Sequence, residues 1–211
     1  MRRSVIYIAV AAGIAGTAAV VAPALAPAAQ SGDAGSAVAQ LKLADGSKIG
    51  TVEFDADGDD GVTSVDVDLD VPDEDTVAPA YHGLHVHANN DPANGEGCKA
   101  DPDQPADTWF VAVDGHLKAG DEAHGYHTGD LPSIQLDDKG RGHAEYDASR
   151  ISVDDLDGRA VVLHADADNF GNVPTGTGPD QYTANGTAAT DKTAATGNAG
   201  TRLACGVLST D

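Results

Sequence analysis

The chain has 211 residues, of which 41% are hydrophobic, and this length and composition suit one domain with a packed core. Its formal net charge is −22, because 34 acidic residues outnumber 12 lysines and arginines. Such a charge argues against nucleic acid as a partner. It also means that an enzyme acting on an anion needs a local positive group.

The first 28 residues have the layout of a secretory signal peptide. Two arginines, Arg2 and Arg3, precede an apolar run over residues 5–21 that contains no acidic residue. The small residues at 26–28 form an A-x-A pattern, so we expect cleavage near Ala28. An uncleaved single-pass anchor is the alternative.

The leader also determines the expected domain organisation and location. We expect a signal peptide over residues 1–28, a flexible tether over 29–36 and one domain over 37–211. With either form of the leader the domain lies outside the cytoplasmic membrane, so we predict a secreted, periplasmic or cell-envelope exterior location. After cleavage we expect no stable membrane partner.

Strand patterns dominate the chain after the tether. Residues 38–43 and 49–54 flank Asp45-Gly46, a turn signal typical of a hairpin. Over residues 65–70 apolar and acidic side chains alternate, which is the period of a strand with one buried face. Further strands are indicated at residues 83–87, 133–136, 143–146, 159–164 and 203–208. No segment after the leader has a sustained helical period, so we predict an all-β antiparallel sandwich or barrel of about eight strands.

Two long segments, residues 89–130 and 165–201, do not fit the spacing of these strands. Long loops in a compact domain usually have a function or are held in place. Cys98 in the first loop and Cys205 in the last strand are the two cysteines of the chain. In an oxidising compartment a bridge between them is the available intramolecular pairing, and two free thiols are the alternative.

Six of the eight histidines form a set that suits metal binding. His85 and His87 are two positions apart on a predicted strand, so their rings leave the same face. The other members are His116, His124, His127 and His164. Neutral imidazole suits copper and zinc, and zinc also accepts a carboxylate such as that of Asp130. The alternative is a polar loop with scattered histidines.

Four separated motifs resemble those of the copper/zinc superoxide dismutases. In chain order they are Gly83-Leu84-His85-Val86-His87, Gly115-His116, His127-Thr128-Gly129-Asp130-Leu131 and the run GNAGTRLACGV over residues 197–207. The resemblance spans residues 36–208 and implies a Greek-key β-sandwich or flattened barrel with two long functional loops.

The resemblance implies a ligand set for each of two cofactors, a copper ion and a zinc ion. The copper ligands that it implies are His85, His87, His116 and His164. The zinc ligands that it implies are His116, which both metals share, with His124, His127 and Asp130.

The resemblance also implies supporting residues and an activity. Asp168 is expected to hydrogen-bond one histidine of each site, and Cys98 and Cys205 to form the family disulfide. The implied activity converts superoxide to oxygen and hydrogen peroxide, with Arg202 guiding the anion and His116 carrying a proton. A structural role for Arg202, in which it holds loop carbonyls, is the alternative. The competing functions are a secreted copper carrier on the same fold and a metal-free structural domain.

One departure from the family lies between His124 and His127, where the link is Gly125-Tyr126 alone. Two outcomes are open at this link. A tight turn brings both rings to one ion, or one ring points away and the enzyme holds copper only. We expect the two remaining histidines, His82 and His143, to be surface or strand residues, and the sequence does not indicate an oligomeric state.

Overall fold

A computed structural model of the chain describes residues 35–57, 61–72, 77, 79–95, 97–169 and 186–211. The predicted signal peptide and most of the predicted tether lie outside the described residues. The described strands are β1 (Ser36–Leu43), β2 (Lys48–Asp57), β3 (Val62–Asp70), β4 (Tyr81–His87), β5 (Ile134–Gln135), β6 (Arg141–Ala148), β7 (Ala160–Ala167) and β8 (Arg202–Thr210). One α-helix, α1 (Thr187–Thr196), and short 3₁₀ turns at Ala106–Thr108, Val111–Val113 and Val153–Asp155 lie between them.

The eight strands form one antiparallel sheet in the spatial order β5-β4-β7-β8-β1-β2-β3-β6. Several neighbours in this order, such as β3 and β6 or β4 and β7, are far apart in sequence, so long connections cross between them. The two edge strands β5 and β6 approach each other, which nearly closes the sheet into a barrel. This architecture confirms the predicted all-β antiparallel fold.

Strand β3 shows why the alternating sequence folds as it does. Val65, Val67 and Leu69 are buried in the core, whereas Asp68 and Asp70 are exposed. A period of two places all apolar side chains on one face of a strand, so burying that face determines its register with β2 and β6. The same barrel includes β4, which carries His85 and His87, and β7, which carries His164.

The predicted bridge between Cys98 and Cys205 is present, with the two Cα atoms 5.5 Å apart. It joins the first long loop to β8, and Cys205 is buried against Phe110, Ala160 and other residues of a small apolar cluster. A bridge across a sequence separation of 107 residues contributes about 4 to 5 kcal/mol on a chain-entropy model.

Helix α1 lies in the second long loop and was not predicted. Its sequence lacks an apolar period because Ala189 is its one buried residue. The helix ends where Gly197 adopts a left-handed conformation (φ 67°) and donates its N–H to the carbonyl of Thr193. Strand β1 begins at Ser36, one residue before the predicted domain boundary. None of the helices in the described part of the chain is long and apolar enough to cross a membrane.

Tyr146 on β6 generates a prediction about stability. Its ring packs against the main core, and its hydroxyl is buried without a hydrogen-bond partner among the described residues. Burial also raises the pKa of this hydroxyl. Because an unpaired buried hydroxyl costs free energy, Tyr146→Phe should raise the free energy of unfolding by about 1 kcal/mol.

Urea denaturation measures this change. Tyr126→Phe is the matched control, because Tyr126 is 76% exposed and its variant should leave the free energy of unfolding unaltered. A loss of stability in Tyr146→Phe would show that the hydroxyl has a partner in solution.

Candidate metal centre

Strand β4 organises the predicted ligands through its backbone. His85 and His87 lie on β4 itself, which pairs with β7, the strand that carries His164. Two loop segments also pair with β4, through backbone bridges from His87 to His116 and from His85 to Asp130. One strand therefore brings together ligands that are far apart in sequence.

The backbone at Gly129 lies close to that of β4, which explains the glycine in the motif over residues 127–131. The N–H of Val86 donates to the carbonyl of Gly129 at 2.8 Å, and the N–H of Gly129 donates to the carbonyl of Leu117 at 2.8 Å. A Cβ atom at position 129 would overlap the carbonyl oxygen of Val86. Glycine is required here so that the segment carrying Asp130 can lie against β4.

Four buried histidines converge on one point. Each offers a ring nitrogen, and these nitrogens lie within 4.8 Å of one another. We call this group the four-histidine cluster, and its members are His85, His87, His116 and His164. Four of its nitrogens are buried without a hydrogen-bond partner, namely Nδ1 of His85 and Nε2 of the other three.

Backbone carbonyls orient two of these rings. The Nδ1 of His87 lies 2.9 Å from the carbonyl oxygen of Asp114, and the Nδ1 of His164 lies 3.1 Å from that of Gly200. A ring nitrogen beside a carbonyl must donate, so in the neutral ring the Nε2 of each carries a free lone pair. This tautomer is the one that can bind a metal through Nε2.

A second group surrounds Asp130, and we call it the aspartate cluster. Its members are His116, His124, His127 and Asp130. The Oδ1 of Asp130 lies 2.8, 3.1 and 3.2 Å from the Nδ1 atoms of these three histidines in that order. Tetrahedral zinc with bonds of about 2.0 to 2.1 Å places its ligand atoms about 3.3 Å apart, and the three distances from Asp130 are close to that spacing. A group whose ligand atoms all lie within 4.8 Å of one another here comprises His85, His116, His124 and Asp130, without His127.

The short link between His124 and His127 forms a tight turn. Gly125 adopts φ 91°, and the second carboxylate oxygen of Asp130, Oδ2, accepts the N–H groups of Gly125 at 2.5 Å and His127 at 3.1 Å. The Nε2 of His127 donates to the carbonyl of Glu122 at 2.8 Å, which leaves its Nδ1 directed at the aspartate. The structure therefore shows a tight turn with the rings of His124 and His127 beside one carboxylate, and neither ring points away from it.

His116 belongs to both clusters. Its Nδ1 lies 2.8 Å from Oδ1 of Asp130 and 3.2 Å from Nδ1 of His127, while its Nε2 is one of the unpaired nitrogens of the four-histidine cluster. The ring of His85 is stacked obliquely beside it, with centroids 4.1 Å apart. The two clusters are thus contiguous and share one imidazole.

Burial keeps the rings of the four-histidine cluster neutral. Burial lowers the pKa of His85, His87 and His116, and it lowers that of His164 to about 3. Burial alone would raise the pKa of Asp130, but hydrogen bonds with His116 and His124 outweigh it and hold this pKa well below its usual range. Neutral imidazoles beside an ionised carboxylate are the forms that bind metal ions.

Arg202 lies beside the four-histidine cluster and is half-buried. Its Nη1 donates to the carbonyl of Phe110 and its Nη2 to the carbonyl of Asp114. After burial and His116, the positive charge of Arg202 is a further cause that lowers the pKa of His87. The structure thus places a guanidinium next to the cluster in an otherwise acidic protein.

Asp168 is half-buried beside Ser133. Its Oδ2 accepts the hydroxyl of Ser133, and its Oδ1 is buried without a hydrogen-bond partner. Its hydrogen bonds to one histidine of each cluster stay a prediction, and His124 and His82 lie close enough to favour its ionised form. Burial raises the pKa of this carboxyl group.

Sequence reasoning missed two contributions to the site. His82 lies on β4, as a strand residue, yet it is fully buried with its Nδ1 3.2 Å from the carbonyl oxygen of His164. Asp114 accepts hydrogen bonds from both His87 and Arg202 through its backbone carbonyl. Every residue has a backbone carbonyl, so no sequence pattern could indicate this role of Asp114. His143 is exposed on β6, as expected.

An antiparallel β-barrel with two contiguous histidine clusters that share one ring defines a class of metalloprotein with a paired metal site. Comparison with known proteins identifies the family within this class. The family model described as copper/zinc superoxide dismutase matches residues 48–208. The chain therefore belongs to the copper/zinc superoxide dismutase family, whose members are enzymes that use copper and zinc.

Individual relatives agree with this membership. The Cu-Zn superoxide dismutase of Mycolicibacterium paratuberculosis (strain ATCC BAA-968 / K-10) is 31% identical over 197 residues, which cover 89% of this chain and 76% of that protein. An extracellular Cu-Zn superoxide dismutase of Brugia pahangi is 27% identical over 182 residues, covering 82% and 75%. The crystal structure of a double mutant of a SOD-like protein from Bacillus subtilis has the same fold, with TM-score 0.53, 24% identity, and coverage of 82% and 96%.

The buried histidines generate a prediction about pH. The pKa of His164 is about 3 in the folded metal-free protein, against 6.5 for an ordinary histidine, so the unfolded chain binds the proton first as the pH falls. The contribution of His164 to stability is therefore fully present above about pH 6.5 and is lost as the pH falls towards 3, with a slope that corresponds to about one proton.

Denaturation of the metal-free protein at a series of pH values measures the slope. His164→Gln should reduce the slope of the free energy of unfolding against pH by the amount that corresponds to about one proton. His143→Gln, at an exposed position, should leave this slope unaltered. An unchanged slope in His164→Gln would show that this ring titrates alike in the folded and unfolded states.

Proposed function

We propose that the protein is an exported superoxide dismutase whose four-histidine cluster holds copper and whose aspartate cluster holds zinc. The observation that carries this proposal is the set of four buried, unpaired ring nitrogens, three of which belong to rings turned by carbonyl or carboxylate partners. Buried nitrogens without partners are costly in a protein, and a metal ion with a preference for imidazole removes that cost.

The proposed copper ligands are Nδ1 of His85 and Nε2 of His87, His116 and His164, and the proposed zinc ligands are the four members of the aspartate cluster. Copper bound there supplies one-electron chemistry, which oxidises one superoxide to oxygen and reduces a second to hydrogen peroxide with the uptake of two protons. The aspartate cluster would hold zinc, which would help to keep the ring of His116 in place.

His116 and Arg202 are the proposed catalytic residues. When its Nε2 is free of metal, His116 can hold a proton at that atom and pass it to the reduced product. The Arg202 guanidinium attracts superoxide at short range, which offsets the repulsion by a chain of net charge −22. Its two hydrogen bonds to loop carbonyls keep the guanidinium beside the cluster.

Export is supported by three features. The leader layout over residues 1–28 is that of a signal peptide, although these residues lie outside the described part of the chain. The Cys98–Cys205 disulfide suits an oxidising compartment. A relative from Brugia pahangi carries the name extracellular superoxide dismutase. A role in removing superoxide outside the cytoplasm follows from this location, with no nucleic-acid partner.

Metal content and superoxide turnover, measured on one preparation, test the proposal. We expect about one copper and one zinc per chain together with fast turnover. Turnover with copper but without zinc would remove the zinc assignment from the aspartate cluster. Bound copper without turnover would favour the carrier function instead.

Arg202→Ala tests the role of the guanidinium. Loss of the local positive charge should lower turnover about tenfold or more and should weaken its dependence on ionic strength. Copper content should stay the same, because Arg202 is not a proposed ligand.

Arg141→Ala is the matched control, since Arg141 is exposed and pairs with Asp137, four residues earlier in the turn before β6. It removes the same charge at a position outside both clusters, so its turnover should equal that of the native protein. Equal turnover in both variants would refute the proposed role of Arg202.

A further inference from the structure

Asp114 has a backbone conformation that aspartate rarely adopts. Its φ is 64° and its ψ is −155°, a region that is almost confined to glycine. It directly follows the 3₁₀ turn Val111–Val113, and His116 lies two residues further along. Residues in such conformations persist when their surroundings hold them, and they concentrate at functional sites.

Backbone hydrogen bonds hold both neighbours of Asp114, because the N–H of Asn89 donates to the carbonyl of Val113 and the N–H of Ala88 to that of Gly115. The side chain of Asp114 adds further contacts that hold its own conformation. Its Oδ2 accepts the backbone N–H groups of Asn90 and Asp91, each at 2.9 Å. Its Oδ1 accepts the side-chain amide of Asn94 at 2.6 Å. These donors belong to the segment that follows β4, the strand on which His87 lies. Three hydrogen bonds therefore tie the turn to the end of the ligand-bearing strand.

The backbone carbonyl of Asp114 serves two residues of the site. It accepts the Nδ1–H of His87 at 2.9 Å and an N–H of the Arg202 guanidinium. A single oxygen thus orients one ring of the four-histidine cluster and the cation beside it. Any rotation of the peptide after Asp114 would disturb both at once.

The residue before the turn Val111–Val113, Phe110, holds the second terminal nitrogen of the guanidinium, Nη1. Arg202 also donates to the carbonyl of Phe110, a buried residue in the left-handed region with φ 56°. The N–H of Phe110 donates to the carbonyl of Lys99 at 2.8 Å, which fixes the start of the turn. The turn is therefore held by backbone hydrogen bonds at residues 110, 113 and 115 and by a side chain at residue 114.

We propose that Asp114 is a positioning residue for superoxide turnover, because its carboxylate holds a glycine-like backbone conformation that aims one carbonyl at both His87 and Arg202. This inference rests on the proposed function, in which His87 binds copper and Arg202 attracts superoxide. Asp114 itself touches neither substrate nor metal.

A competing role for Asp114 is purely electrostatic, since its negative charge lies close to Arg202. Three substitutions separate the two roles because all of them remove the charge. Asp114→Asn keeps an oxygen for the two backbone N–H groups, and Asn94 can turn its amide to complete the third bond. Asp114→Gly removes the side chain but tolerates the backbone conformation, and Asp114→Ala removes the hydrogen bonds while keeping a Cβ.

Positioning predicts a graded series. Turnover and the affinity of copper-loaded protein for azide, an anionic probe read from its absorption band, should be near native in Asp114→Asn. Both should fall in Asp114→Gly and fall furthest in Asp114→Ala, by about 10-fold to 100-fold. A charge effect predicts instead that all three variants bind azide alike and more tightly than the native protein.

Two further variants sharpen the comparison. Asn94→Ala removes one of the three hydrogen bonds without altering Asp114, so it should give a smaller fall in the same direction. Asp107→Ala is the matched control, because Asp107 is an exposed aspartate of the same loop and lies in the turn Ala106–Thr108. Its turnover and azide affinity should equal those of the native protein.

A measurement on the metal-free protein separates this inference from the proposed function. Nitrogen NMR reports the slow exchange of the Arg202 guanidinium protons and the Nδ1–H tautomer of His87, and neither signal requires activity. Both signals should persist in Asp114→Asn and be lost in Asp114→Ala. If they persist in Asp114→Ala and Asp114→Gly, the inference is overturned, whereas native protein that binds copper without turnover refutes the proposed function alone.

Discussion

The arrangement of this site depends on one imidazole ring that belongs to two clusters. His116 turns its Nδ1 to Asp130 and its Nε2 to the buried nitrogens of His85, His87 and His164. Because Asp130 holds this ring at Nδ1 alone, the direction of its Nε2 depends on where the aspartate cluster lies. The backbone bridge from His116 to His87 supplies this placement, because it aligns the loop with a strand of the barrel.

Around that shared ring, the protein uses backbone carbonyls as well as the Asp130 carboxylate to set ring orientation. Carbonyls of Asp114, Gly200 and Glu122 accept from three different histidines, and each comes from a loop rather than a strand. The loops must therefore be held as firmly as the barrel. The disulfide holds the first loop to β8, and the N–H of His124 donates to the carbonyl of Ala194 at the end of α1.

Much of the fold and most of the clustered residues could be predicted from the sequence, for physical reasons that also explain the failures. Burial of one face gives β3 its alternating pattern. The ligands at residues 83–87 and 127–131 lie within short sequence motifs, so they could be recognised from the sequence. Helix α1 escaped prediction because it buries a single alanine. Full burial of His82 and the single-carboxylate turn at Gly125 depend on tertiary packing. The role of the Asp114 carbonyl depends on backbone angles, and residue identity does not encode these at a non-glycine position.

The most direct measurement of the shared ring uses two paramagnetic ions. Copper(II) is loaded into the four-histidine cluster and cobalt(II), which accepts a tetrahedral nitrogen and oxygen site, into the aspartate cluster, with one of each per chain confirmed by elemental analysis. If His116 bridges the two ions, magnetic coupling through its ring should abolish the ordinary copper electron paramagnetic resonance signal. A copper signal identical to that of protein without cobalt would contradict the shared imidazole.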